Sequence, residues 1–155
     1  MSKIESLKPY LEPLRKSVVV SRTPEEAFDI FTGGIASWWP RSEFSLYQAR
    51  SADCAIEPRV GGRIVESRDD GEQGLWGTVL VWEPPGRFVM SWHPGLDPAA
   101  ATEVELRFVA VSGGTRVELE HRNWTRAGER AAETREGYDQ GWVRVFEQCY
   151  AGACA

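Results

Sequence analysis

His121 is the side chain whose setting in the sequence most invites chemistry. From Thr115 to Trp124 the chain alternates: Val117, Leu119, His121 and Asn123 share one strand face, and Arg116, Glu118, Glu120 and Arg122 share the other. An imidazole on the apolar face suits general acid–base work, or a polar contact to a ligand carbonyl, hydroxyl or carboxylate, because histidine titrates near neutrality. The same position equally suits a core histidine hydrogen-bonded to backbone or to Tyr138. Asn123, one pleat further, offers a second polar contact near a cavity mouth. Arg63 and Glu66 lie in a strand with apolar and charged residues on both faces, so their facing stays open. A solvated charge is the ordinary reading there, and a buried arginine would require a carboxylate partner. His93 falls on the outward phase of its strand, near the strand end.

No phosphate-binding loop and no GxSxG nucleophile elbow occurs, and Gly61–Gly62 reads as a turn rather than a dinucleotide fingerprint. The two histidines lack metal-ligand spacing, and Asp69, Asp70 and Glu72 read as a solvated loop tip. We therefore assign no catalytic residue and expect no metal and no cofactor. Cys54, Cys149 and Cys154 have no zinc spacing and read as reduced thiols, with a Cys149–Cys154 redox pair as the alternative.

A ligand site is better signalled by the aromatics. The chain carries 7 Trp in 155 residues. Trp38 and Trp39 close a pair of short helices, Trp76, Trp82 and Trp92 fall in strands, and Trp142 falls in the last helix, whereas Trp124 lies at a strand end outside that set. Tryptophan is bulky and its N–H needs a partner when buried, so a dense core uses it sparingly. Inward Trp residues at this density point to an aromatic-walled ligand cavity, with a Trp-rich core as the alternative.

The elements that position these residues follow from period and punctuation. Ser17 to Arg22 is an apolar strand. Thr23 is an N-cap with Pro24, Glu25 and Glu26 in the first helical turn, and Ala27, Phe28, Ile30 and Phe31 form the buried stripe. Gly33 and Gly34 stop that helix, and a second runs from Ile35 to Trp39 before Pro40. An aperiodic connector covers Arg41 to about Ser51. Strands are expected at Asp53–Glu57, Arg63–Arg68, Trp76–Glu83, Arg87–His93, Thr102–Val111 and Thr115–Trp124, joined by Gly- and Pro-bearing turns. Arg130 to about Tyr150 reads as a long helix with Tyr138, Trp142, Val145, Phe146 and Cys149 on one stripe. Gly137 and Gly141 lower its helix propensity, and close approach of helix to sheet would explain them. The fold class is α+β: a strand, two short helices, a six-stranded antiparallel meander, and a long C-terminal helix packed across the curved sheet in a helix grip.

Alternation places Trp76, Thr78, Leu80 and Trp82 inward, then Phe88, Met90 and Trp92, then Val104, Leu106 and Phe108, and finally Val117, Leu119 and His121. The expected ligand-contacting set is Trp38, Trp39, Trp76, Thr78, Leu80, Trp82, Phe88, Met90, Trp92, Leu106, Phe108, Leu119, His121, Asn123, Tyr138, Trp142 and Phe146. Trp38 and Trp39 would serve either as part of a lid or as packing anchors.

This order of elements resembles the START-like superfamily, also called SRPBCC or Bet v 1-like. Within it the chain is most similar to homologues of the C-terminal domain of the Hsp90 ATPase activator. The resemblance rests on VSRTPEEAFDIFT at Val20–Thr32, WWP at Trp38–Pro40, EPRVGGRIVE at Glu57–Glu66, GTVLVWEPPGRFVMSW at Gly77–Trp92, TRVELEHRNW at Thr115–Trp124 and GYDQGWVRVFEQ at Gly137–Gln148. It implies the helix-grip fold over about residues 16–150, within one START-like domain spanning residues 1–155 whose first fifteen residues form an N-terminal extension. As functions it implies a small-molecule cavity, an interaction module with a chaperone as partner, or a cyclase- or hydrolase-type enzyme using His121.

Composition narrows the classes. Hydrophobic residues make up 42% and charged residues 26%, as in a globular domain, and the net charge of −5 argues against a nucleic-acid surface. No apolar run approaches the length of a membrane span, and Met1 to Lys16 has no signal-peptide core, so a cytoplasmic location is expected. The leading expectation is a binding protein for a small hydrophobic or aromatic molecule, without membrane insertion, with a homodimer through a sheet edge or helix left open.

Overall fold

A computed structural model describes residues 10–155; residues 1–9 of the expected N-terminal extension lie outside the described residues. β1 (Leu14–Val20) starts earlier than the apolar run alone suggests, because Leu14 is buried and pairs with His121. α1 (Pro24–Phe31) then begins at a capping box. Thr23 Oγ1 accepts the Glu26 N–H at 3.1 Å, and Glu26 Oε1 accepts the Thr23 N–H at 3.0 Å. Such a cap stabilises a helix by about 1 kcal/mol. α2 (Ile35–Trp38) is a single turn, ended before Pro40. The connector closes in a 3-10 turn, Gln48–Arg50.

β2 (Ser51–Ile56), β3 (Arg63–Arg68), β4 (Gln73–Glu83), β5 (Arg87–Trp92), β6 (Thr102–Val111) and β7 (Gly114–Arg122) form the antiparallel meander. β1 adds to β7, giving a seven-stranded sheet in the order β1-β7-β6-β5-β4-β3-β2. The last helix, α3, covers residues 131–153: α-helical over Ala131–Trp142, π-helical over Val143–Tyr150, and α-helical again over Ala151–Ala153. The sheet curls around α3, and the fold is a helix grip.

Alternation holds through β6 and β7, where Val104, Leu106, Phe108, Val117, Leu119 and His121 are all buried. It fails in β4, which carries two bulges. Ile64 pairs with Gly77 while Val65 pairs with Leu75, leaving Trp76 as an extra residue; Val79 pairs with Met90 while Val81 pairs with Val89, leaving Leu80 extra. Each extra residue inverts the facing of the strand beyond it. Trp76 and Val79 therefore point inward, whereas Leu80 is 41% exposed. Thr78 turns to β5, where its N–H donates to Ser91 Oγ at 2.9 Å. Gly77 makes this bend feasible: a Cβ there would lie 1.8 Å from the Ser91 carbonyl oxygen.

The core has two ends. At the filled end, Phe28 and Phe31 of α1 pack on Phe88 and Phe108 with ring centroids 5.2–6.4 Å apart. Trp82 and Tyr150 join them, at 5.1 Å from Phe28 and 5.0 Å from Phe31. The Tyr150 hydroxyl donates to the Ala27 carbonyl at 2.7 Å, tying α3 to α1. The other end is open.

Candidate functional site

At the open end, α3, the connector and strands β4 and β5 enclose a cavity of about 390 Å³. Trp76 comes from β4 and Trp92 from β5; Thr134, Gly137, Tyr138, Gly141, Trp142 and Val145 come from α3. Trp39, Phe44, Ser45 and Leu46 close it from the connector side, and Pro94 from the loop after β5. The volume falls within the roughly 300–1,000 Å³ usual for small-molecule sites.

The Trp rings form one connected wall. Trp39 lies 5.0 Å from Trp76, 5.8 Å from Trp92 and 5.9 Å from Trp142, centroid to centroid. Every indole N–H in that wall is already engaged. Trp39 donates to the Phe44 carbonyl at 2.7 Å, Trp76 to Glu66 Oε1 at 3.0 Å, Trp92 to the Tyr138 hydroxyl at 3.1 Å, and Trp142 to His121 Nδ1 at 3.0 Å. The Trp wall thus presents ring faces and edges rather than donors.

His121 stands behind this wall, fully buried, and does not line the cavity. The Trp142 indole is a donor only, so Nδ1 accepts and Nε2 carries the proton. Nε2–H donates to Thr102 Oγ1 at 2.7 Å, and that hydroxyl donates to the Trp92 carbonyl at 3.2 Å. Burial lowers the imidazole pKa to about 3 and keeps the ring neutral. Both nitrogens are occupied, so His121 couples β7, β6, β5 and α3 as a positioning residue rather than serving as an acid or base. Trp124 is buried on its ring at 4.0 Å and donates to its carbonyl, which joins Trp124 to the core rather than leaving it outside.

Glu66 is the residue that the strand pattern left undecided. Its side chain is fully buried, and Oε1 accepts the Leu46 N–H at 2.8 Å together with the Trp76 indole; Oε2 accepts the Tyr47 N–H at 3.3 Å. Burial opposes the charged form, but the hydrogen bonds it accepts, those from the Leu46 N–H and Trp76 among them, outweigh it and hold the carboxyl below its ordinary range. This carboxylate pins the connector against the sheet. A second tie is the exposed Arg144–Glu43 pair at 3.0 Å, from α3 to the connector. Arg63, by contrast, is exposed and pairs with Glu57.

Of the expected ligand contacts, the structure brings Trp39, Trp76, Trp92, Tyr138 and Trp142 together around the cavity. Trp38 is a packing anchor whose indole donates to the Ile30 carbonyl at 2.8 Å. Trp82, Phe88 and Phe108 belong to the filled end; Met90, Leu106, Leu119 and Phe146 are likewise buried core. Leu80 and Thr78 are displaced by the bulges. Asn123 is exposed in a left-handed conformation that ends β7, so it does not reach the cavity. His93 is buried rather than superficial, and its Nδ1–H donates to the Leu96 carbonyl at 3.2 Å. Gly137 and Gly141 do not bring α3 onto the sheet. A Cβ on Gly137 would meet nothing within 4 Å, and one on Gly141 would meet only the Phe44 ring at 3.5 Å. They are cavity volume. Two helical glycines four apart were the visible signal for that wall; the connector residues gave none.

The sequence matches the family described as Activator of Hsp90 ATPase homolog 1-like protein over residues 21–151. The chain belongs to that family. Among solved structures, this family member is similar to an anthrahydroquino-gamma-pyrone synthase, Txn09, determined as a complex. The two share 35% identity over 94% of this chain and 99% of that one, with a TM-score of 0.63. It also resembles the Aha1 dimer from Colwellia psychrerythraea, at 16% identity over 92% and 98% of the chains and a TM-score of 0.61. Protein BH1534 from Bacillus halodurans gives 16% identity over 96% and 100%, with a TM-score of 0.68. The two likenesses below 25% identity show the fold alone. No protein with a curated description matches the sequence. No helix among the described residues is long and apolar enough to cross a membrane.

Proposed function

We propose that this Hsp90-activator-homologue-like domain binds a planar, fused-ring aromatic compound in the cavity between α3 and the sheet. The observation that carries the reading is the wall of Trp39, Trp76, Trp92 and Trp142, whose N–H groups are all turned to protein acceptors. Such a wall favours a flat apolar ligand that stacks on ring faces and meets ring edges. The 35% identical synthase, named for a fused aromatic product, supports the same ligand class. It also favours a second reading, in which the bound compound closes a ring because the cavity holds it folded. In that reading the bound compound is released altered, which chromatography of the recovered ligand would reveal.

The test is a titration of ¹⁵N-labelled protein with anthraquinone-2-sulfonate. The indole N–H signals of Trp39, Trp76, Trp92 and Trp142 should shift saturably, while those of Trp38 and Trp82 stay in place. Unmoved indole signals, or equal shifts in all of them, would sink the proposal.

A further inference from the structure

Nearly every polar group on the cavity wall already has its partners. The four indole N–H groups are engaged by protein acceptors. The Ser45 hydroxyl donates to the Arg41 carbonyl and accepts the Gln48 N–H at 2.9 Å. Thr134 lies one helical turn before Tyr138 and is partly exposed. Water can serve a hydroxyl in that position.

Tyr138 differs. It is partly buried against the core, its ring 4.7 Å from His121, 5.8 Å from Trp124 and stacked on Trp142 at 28°. Those contacts fix the ring. Its oxygen accepts the Trp92 N–H, and among the described residues no atom accepts its own proton. A phenol that accepts one hydrogen bond becomes a better donor of the next. Burial also raises its pKa, partly offset by the Trp92 bond, so the proton is retained at neutral pH.

Resting on the aromatic-ligand reading, we infer that Tyr138 orients the ligand by donating its hydroxyl proton to a carbonyl oxygen on the edge of the ring system. The class preferred is then a quinone or aryl ketone over the bare hydrocarbon. Tyr138 sets orientation and Trp92 sets Tyr138.

The experiment compares anthraquinone-2-sulfonate with anthracene-2-sulfonate, which has the same rings and no carbonyl, on the unaltered protein and on Tyr138→Phe. One neutral hydrogen bond predicts that the unaltered protein prefers the quinone on the order of 3- to 10-fold. Tyr138→Phe should lose that preference and bind the two compounds alike. Difference infrared spectra should show the bound quinone's C=O stretch lowered in the unaltered protein and restored in Tyr138→Phe. A preference that survives Tyr138→Phe, or none in the unaltered protein, overturns the assignment while leaving the cavity reading intact. If neither compound binds, the cavity reading fails and takes this one with it. Should Tyr138→Phe not fold, an unshifted C=O stretch in the unaltered protein refutes the assignment alone.

Discussion

Removing the Glu66 carboxylate should loosen the connector and weaken the whole domain. In Glu66→Ala three donors lose their acceptor: the Leu46 N–H at 2.8 Å, the Trp76 indole at 3.0 Å and the Tyr47 N–H at 3.3 Å. Trp76 is 1% exposed, so water cannot replace its partner, whereas the two backbone groups are partly buried and regain some hydration. At about 1–3 kcal/mol per orphaned buried donor, the larger figure applies to Trp76 and the smaller to each amide, giving up to about 5 kcal/mol. That is a large share of the roughly 5–15 kcal/mol available to a domain. Glu66→Gln keeps one carbonyl oxygen able to serve Leu46 and Trp76, and sets an NH₂ group against the Tyr47 N–H, so its loss should be about 1–2 kcal/mol. The pH sign comes from the depressed carboxyl pKa. The contribution is complete above the unfolded value near 4.3 and disappears as pH falls through the lower folded value. Glu66→Gln and the unaltered protein should therefore differ at neutral pH and converge in acid. Urea unfolding monitored by Trp fluorescence gives the energies, and hydrogen exchange at the Leu46 and Tyr47 amides gives the local opening. A Glu66→Ala protein within about 0.5 kcal/mol of the original, with both amides still protected, would refute the latch.

Gly137→Ala should raise stability by about 0.5–1 kcal/mol through helix propensity, since its Cβ meets nothing, and thermal melts will show it. Gly141→Leu should leave the melting temperature nearly unchanged yet abolish binding of anthraquinone-2-sulfonate, because its side chain must enter the cavity beside Phe44; calorimetric titration reports this. His121, with a folded pKa of about 3, should make stability fall as pH drops below the unfolded value near 6.5, at up to about 1.4 kcal/mol per pH unit. Urea midpoints from pH 7 to 5 should show that slope, and His121→Gln should flatten it. On the outer sheet face, Glu105 takes Arg87, Arg107 and Arg122 together, and although burial opposes its charge they lower its pKa to about 2. Glu105→Gln should be destabilising by about 1–3 kcal/mol in urea unfolding at pH 7.

The features legible in the sequence were those that repeat on a fixed period. In β6 and β7 the two-residue alternation put Leu106, Leu119 and His121 inside, and they are inside. In α3 the three- and four-residue steps put Tyr138 and Trp142 on the inner stripe, and they line the cavity. Breaks in the period were not legible. An inserted residue at Trp76 and another at Leu80 carry no mark of their own, so Thr78 and Leu80 were expected on the wrong face. Asn123 sits where β7 ends by turning into a left-handed conformation, a backbone event that alternation cannot register. The latch at Glu66 joins a strand to a connector twenty residues away in sequence, and long-range hydrogen bonds leave no local pattern. The glycines of α3 were visible as an anomaly, but only the structure shows that they border the cavity rather than contact the sheet.

The pairing of β1 with β7 also shapes how the chain must be made. Leu14 aligns with His121 and Val20 with Thr115, so the first strand emerges from the ribosome long before its partner exists. Until then the stretch Ser17–Val20 is an unpaired, β-branched segment with open backbone donors, the kind of edge other chains can capture. Closing so long a loop adds only slowly growing entropy, about 1.5RT times the logarithm of its length, yet it delays the step until β7 has been made. His121 lies on the strand that receives β1, and its network is completed only when α3 brings the Trp142 indole to Nδ1. Assembly of the cavity wall thus requires both the strand that pairs with β1 and the docking of α3 upon it.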